Sequence, residues 1–269
     1  MTPVVHTVAR AFPIPAGAGL ARALVERNYR AFRANWMTML SGVFEPIFYL
    51  YSIGVGLGAM IGTVEFGGRP IDYVVFIAPA MMASAAMNGA VFDATFNVFF
   101  KLKYAKTYDS VLTTPMGPRD VAVGEIAWAL LRGAVYATAF LVIAAISGAT
   151  ESWWAVLAVP GAVLIGLAFA AIGMAVTTYL RSWQDFDFVQ LAIMPMFLFS
   201  ATFYPLSTYA DSVQWFVQAT PLYHGAAMLR ELWLGDIGPS LLVHIVYLTV
   251  MGLVGVVWAS RRIERLLLR

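Results

Sequence analysis

Six long apolar runs, at approximately residues 37–61, 71–100, 121–148, 153–179, 186–206 and 240–260, constrain this chain more than any other feature. A bilayer's hydrocarbon core is roughly 30 Å thick and takes about 20 helical residues to cross. Backbone amides in lipid must find partners within their own segment, so runs of this length are expected as helices. Only 12% of the residues are charged, about half the share in a soluble domain. The expected fold is all-α: a polytopic membrane protein with six transmembrane helices. The spans leave no length for a separate soluble domain, and there are no cysteines for disulfide, thiolate-metal or cysteine-nucleophile chemistry.

Charge sets the expected orientation. Fourteen of the seventeen Lys and Arg fall before the first run, in the second and fourth connections, or in the tail. The remainder are Arg69, Arg132 and Arg230, while Glu65, Asp72, Glu151, Asp211, Glu231 and Asp236 crowd the other side. The positive-inside rule places both termini in the cytoplasm. A net charge of +2, segregated by loop, gives no footing for a nucleic-acid partner. No secretory leader is expected, because the first apolar run starts late and is long. Residues 62–70 read as a short, turn-rich outward connector.

Three segments do not fit a simple span. In residues 20–36, Ala21, Val25, Tyr29, Phe32 and Trp36 form an apolar stripe beside Arg22, Glu26, Arg30 and Arg33, with Glu26 and Arg30 at i,i+4. That pattern predicts an amphipathic helix in the cytoplasmic interface, either a plain anchor or a partner contact. In residues 101–120 a short helix over 107–114 is expected, ended by Pro115 and the Gly117-Pro118 pair. It carries Tyr108, Val111 and Leu112 beside Asp109 and Ser110, which suits a docking surface somewhat better than a loop packed on its own protein. Residues 207–234 are interrupted at Pro221 and end near Gly235, reading as two half-helices that dip into the outer leaflet.

Much chemistry is absent. None of the three lysines sits in a G-x-x-x-x-G-K-[ST] phosphate loop, so the chain is not its own P-loop ATPase. His6, His224 and His244 are far apart and form no H-E-x-x-H pattern; no serine sits in G-x-S-x-G. Asp185 and Asp187 fall on different helix faces. Four charges lie within spans: Glu45, Asp93, Glu125 and Arg132. They form either a proton relay or substrate contact, or an inner-interface set in which Asp93 and Glu125 pair with Arg132 or a neighbouring helix.

Four stretches give the chain a family resemblance. They are Thr107-Tyr-Asp-Ser-Val-Leu-Thr-Thr-Pro115 running on to Gly124-Glu125-Ile-Ala-Trp128; Phe186-Asp187-Phe188; Met194-Pro195 through Ser200 to Tyr204-Pro205-Leu206; and Thr220-Pro221-Leu222 followed by Arg230 and Gly235. In order on this plan, they resemble the permease subunits of ABC-2 type exporters, in the branch of nodulation lipo-oligosaccharide and daunorubicin-resistance permeases. The resemblance implies a type V exporter-like architecture: residues 1–36 as cytoplasmic N-terminus with a connecting helix (Glu26, Arg30, Arg33), and residues 37–269 as the six-span domain. Within 101–117 it implies a coupling helix whose Lys106, Thr107, Tyr108, Asp109, Val111, Leu112 and Thr113 contact a separate ATPase. Within 207–235 it implies an outer re-entrant pair, with Phe203, Tyr204, Pro205, Phe216 and Pro221 at the outer gate.

The implied partners are two copies of an ABC ATPase, which binds the ATP and Mg, and a second permease protomer, identical or paralogous. The chain itself would hold no cofactor and catalyse no reaction. Its cargo would be an amphipathic lipid, glycolipid or hydrophobic drug, moved outward across a bacterial inner membrane among membrane lipids. The competing readings are a proton-coupled secondary transporter using Glu45, Asp93 or Glu125, a membrane-embedded lipid-modifying enzyme, and a non-catalytic scaffold.

Overall fold

The computed structural model describes residues 19–33, 44, 47, 48 and 50–267; Glu45 and the rest of the first run before Leu50 lie outside these, as does Trp36. Ten helices follow in order: α1 Gly19–Arg33, α2 Leu50–Ile61, α3 Tyr73–Lys103, α4 Thr107–Leu112, α5 Pro118–Ile146, α6 Trp153–Thr177, α7 Phe186–Leu198, α8 Asp211–Ala219, α9 Pro221–Leu234 and α10 Pro239–Leu267. Four of them, α3, α5, α6 and α10, are long and apolar enough to cross a membrane. They match the second, third, fourth and sixth apolar runs to within a few residues.

α6 sits at the centre, packed on α3, α5, α9 and α10. Its composition explains that position. Small residues let backbones approach where lipid supplies no hydrophobic drive. Ala162, Ala168, Ala170, Ala171 and Ala175 are buried along it, and Gly255 of α10 lies against Ala171.

Two expectations need correction. The fifth run was expected to span over 186–206, but α7 has 13 residues and rises only about 20 Å at 1.5 Å per residue. Pro195 lies within α7, and the chain beyond Leu198 is irregular, with Ala201 in the left-handed region at φ 54°. Polar Ser200 and Thr202 are buried there and bond to each other at 2.7 Å. The described residues therefore contain four helices of spanning length, with most of the first run before Leu50 lying outside them.

The second correction is a β-hairpin where a turn-rich connector was expected, so the fold departs slightly from all-α. Strands β1 Thr63–Phe66 and β2 Arg69–Asp72 pair antiparallel, Phe66 opposite Arg69. Gly67 and Gly68 form the tip at φ 62° and 77°, the double positive φ of a two-residue type I′ turn. Ile71 is buried from the hairpin, and Phe66 meets the Phe76 ring edge-on.

Candidate functional site

At the end of the bundle where α3 stops and α5 begins, four elements meet on one carboxylate. Lys101 Nζ reaches both Glu125 oxygens at 2.7 and 2.9 Å. Asn28 of α1 donates to Glu125 Oε2 at 3.0 Å and accepts from Lys101 at 3.3 Å. Tyr108 of α4 donates its hydroxyl to Glu125 Oε1 at 3.1 Å. Burial, and then the adjacent Glu125 carboxylate, hold the Tyr108 hydroxyl well above its ordinary pKa, so it remains an O–H donor. Glu125 is thereby satisfied on both oxygens and by a counter-charge, which a buried carboxylate requires.

Local sequence explains the meeting. Gly124 precedes Glu125, and a Cβ there would come within 2.9 Å of Leu24 Cδ2 and 3.0 Å of the Ala21 carbonyl, so only glycine lets α1 lie this close to α5. Trp128, one turn on, takes the Phe32 ring edge-on at 5.5 Å. The stripe expected on α1 is consequently rotated. Ala21, Leu24 and Asn28 are buried, while Tyr29 is exposed. Glu26 and Arg30 pair at 2.7 Å as their spacing implies, and Arg33 is exposed.

α4 runs over 107–112 rather than 107–114, after Lys106 in the left-handed region at φ 45°. Tyr108 and Val111 point into the protein. Two of the apolar side chains that suggested a docking surface, Tyr108 and Val111, thus pack on their own chain. Lys106, Asp109, Ser110 and Thr113 are exposed, Thr107 is half-buried, and the Leu112 side chain lies outside what is described.

Two turns deeper, Arg132 Nη1 pairs with Asp93 Oδ1 at 3.2 Å, and Asn97 donates to the same oxygen at 2.8 Å. Asp93 opens a wide π-turn over Asp93–Asn97 inside α3, a distortion common at functional sites. Asp93 thus pairs with Arg132, and Glu125 with Lys101 of a neighbouring helix, the two alternatives the sequence offered. Sequence reasoning missed an aromatic cluster beside them: Phe96 and Phe99 of α3 surround Trp183 and Phe186 at ring distances of 4.9–5.4 Å. This gives Phe186 its role, while Phe188 and Asp187 stay exposed. Asp185 caps the turn, accepting from the Arg181 and Ser182 amides at 2.6 and 3.2 Å; those amides hold its carboxyl below the usual range.

At the opposite end α8 and α9, of 9 and 14 residues, are both too short to cross. Thr220 accepts from the Tyr223 amide at 3.4 Å and Pro221 takes the first helical position of α9, so the break falls where the sequence placed it. Phe203 stacks edge-on against Phe197, and its carbonyl accepts from the Tyr73 hydroxyl at 3.2 Å. Tyr204 packs on Tyr209 at 4.7 Å; Phe216 is exposed and Pro205 half-buried. Arg230, placed by the sequence in the second half-helix on the outer side, is buried. It donates to the Phe76 and Ala201 carbonyls at 3.2 and 3.0 Å and lies 4.0 Å from the Phe76 ring centroid.

The four resemblance-bearing stretches thus occupy this inner junction, the aromatic cluster and the outer break. A family model described as an ABC-2 type transporter matches residues 20–234, which takes in all of them but the final Gly235. The chain belongs to the ABC-2 type transporter family. Relatives named nodulation protein J agree over most of their length. That of Rhizobium leguminosarum bv. viciae is 33% identical over 259 residues, covering 94% of this chain and 98% of the relative. That of Rhizobium meliloti (strain 1021) is 32% identical over 235 residues, 86% of each. That of Sinorhizobium fredii is 34% identical over 226 residues, covering 83% and 84%. As an ABC-2 type transporter with several apolar helices, the chain is a membrane subunit of the bacterial inner membrane.

Proposed function

We propose that this chain is the permease of an ABC exporter, moving an amphipathic lipid, a lipo-oligosaccharide or other glycolipid, or a hydrophobic drug outward. The energy comes from ATP and Mg bound by a separate ATPase, two copies per transporter, acting on two permease protomers. Both termini face the cytoplasm, and six crossings arise once the first run and the fifth, α7 continued by the irregular stretch after Leu198, are added to the four long helices. The relatives' name, nodulation protein J, favours a lipo-oligosaccharide-like cargo.

One observation carries the reading. α4 is a six-residue helix tied from behind by Tyr108 to the Glu125 junction, with Asp109, Ser110 and Thr113 left facing outward. Such a helix is poorly suited to stand alone, since short helices draw their stability from tertiary contacts. It is well suited to pass a push from an ATPase into α1, α3 and α5 at once. Lys106, Thr107, Asp109 and Thr113 form the partner face, with Glu26, Arg30 and Arg33 of α1 beside it. Only differential contact with two states can shift a conformational equilibrium, so this surface matters more than any one pore residue. Phe203, Tyr204, Pro205, Phe216 and Pro221 form the outer gate, and cargo passes among the first, second and fifth spans.

The proton-coupled alternative is weakened by the engagement of Asp93 and Glu125 in ion pairs. The double variant Asp109→Arg/Thr113→Trp tests the reading: export is lost while insertion and the level of folded chain are retained. Normal export by that variant removes the assignment.

A further inference from the structure

The three histidines looked unrelated in sequence, yet two of them meet. His224 of α9 and His244 of α10 bring their Nδ1 atoms to 2.7 Å. His244 Nε2 lies 3.7 Å from Glu231 Oε1, two turns along α9 from His224, and Glu231 Oε2 is buried with no hydrogen-bond partner among the described residues. Tyr247 stacks on the His224 ring at 3.9 Å and donates its hydroxyl to the Ala219 carbonyl, while Tyr223 meets both imidazoles edge-on. The Gln218 carbonyl, from α8, lies against the His224 ring, where it favours a ring N–H.

We propose that Glu231, His244 and His224 form a proton-binding site that clasps α9 to α10. Proton counting supports it. The series runs from the Gln218 carbonyl through His224 and His244 to the Glu231 carboxylate, and both ends are acceptors. Three junctions lie between them, the last a 3.7 Å approach just beyond hydrogen-bond length, whereas two neutral imidazoles carry one N–H each. The third proton comes from solvent and draws Glu231 Oε1 and His244 Nε2 together. Without it a carboxylate faces a ring lone pair.

Other charges do not supply the balance. Asp236, which acts on Glu231 from beyond α9, is itself paired with Arg69 at 3.1 Å, and Arg230 turns away to the Phe76 and Ala201 carbonyls. Ser240 of α10 is the remaining polar neighbour of Glu231. Burial raises the Glu231 carboxyl above its ordinary pKa and lowers that of the His224 ring, which places the extra proton on the carboxyl, donating to His244. A carboxyl raised by folding stabilises the folded state below its unfolded value. That stability is lost as pH rises through the folded value. The carboxyl therefore favours closure at low pH, while the His224 ring, lowered by burial, contributes stability above the unfolded imidazole value that is lost as pH falls, so the two groups oppose each other.

The test is ¹⁵N-imidazole NMR of the full chain in nanodiscs, in a His6→Gln background that leaves only this pair. The two signals are expected to move together in one coupled step. The carboxyl's share of the pH dependence of thermal stability should vanish in Glu231→Gln. Glu231→Gln, whose amide donates permanently, should abolish the step and hold both signals at their low-pH positions. Two imidazoles titrating independently, an unchanged curve in Glu231→Gln, or loss of the step only on adding Zn²⁺ each overturn the proposal.

Discussion

The inner junction and the outer break both bury charge, by opposite means. At the inner end a carboxylate and an ammonium face each other, and four separate elements share them: α1, α3, α4 and α5. At the outer end Arg230 pairs with no carboxylate among the described residues; backbone carbonyls and aromatic faces hold it. The difference teaches what each end can do. An ion pair made of side chains from several helices can be exchanged for another pairing when those helices move. A guanidinium bonded to main-chain carbonyls fixes the chain in place, including Ala201 in its strained left-handed conformation, worth about 1–3 kcal/mol. The inner end is built to transmit, the outer end to hold.

The sharpest way to break that contrast is to remove Arg230. Arg230→Ala leaves the Phe76 and Ala201 carbonyls without their charged donor, at about 1.5–3 kcal/mol for each bond. Loss of folded protein in detergent thermal denaturation is the expected outcome. Arg230→Lys should rescue only part, because an ammonium lacks the planar fork that reaches two carbonyls.

Glu125→Ala should cost less, about 2–4 kcal/mol, toward the lower end for a broken buried pair because Lys101 keeps some solvent access. Its distinguishing result is functional: folded transporter in which ATP hydrolysis no longer drives export. A variant that folds and exports normally would place transmission elsewhere.

Gly124→Val tests whether close approach of α1 matters. Overpacking against Leu24 and the Ala21 carbonyl should cost about 1–3 kcal/mol and expose Asn28, seen as faster amide exchange in α1. The smallest effect is expected from Glu26→Ala. Its pair with Arg30 is solvent-exposed, so about 0.3–0.5 kcal/mol is at stake, and less at high salt.

Much of the frame was legible beforehand. Apolar length located α3, α5, α6 and α10, and Thr220-Pro221 with Gly235 bounded α9, because those signals are local. The rest depended on tertiary partners. Apolar periodicity assigned Tyr29 to the buried face of α1, yet Asn28 is buried because Glu125 waits for it. Tyr108 looked like a docking side chain because nothing local shows its hydroxyl reaching across seventeen residues to Glu125. Gly67-Gly68 signalled a turn, but the pairing of β1 with β2 needed the positive φ at both positions to be recognised as a hairpin tip. The fifth run was predominantly apolar, and that apolarity alone did not reveal that Ser200, Thr202 and Arg230 would hold its second half irregular. His224 and His244 stand on separate helices joined by a turn, a proximity that no motif encodes.

The central claim is that α4 faces the compartment where ATP is hydrolysed. The chain contains no cysteine, so Asp109→Cys and Ser212→Cys each give a single thiol at an exposed position. Intact cells treated from outside with a membrane-impermeant maleimide should label Ser212→Cys and leave Asp109→Cys unmodified until the membrane is opened. Labelling of Asp109→Cys in sealed cells would contradict the account.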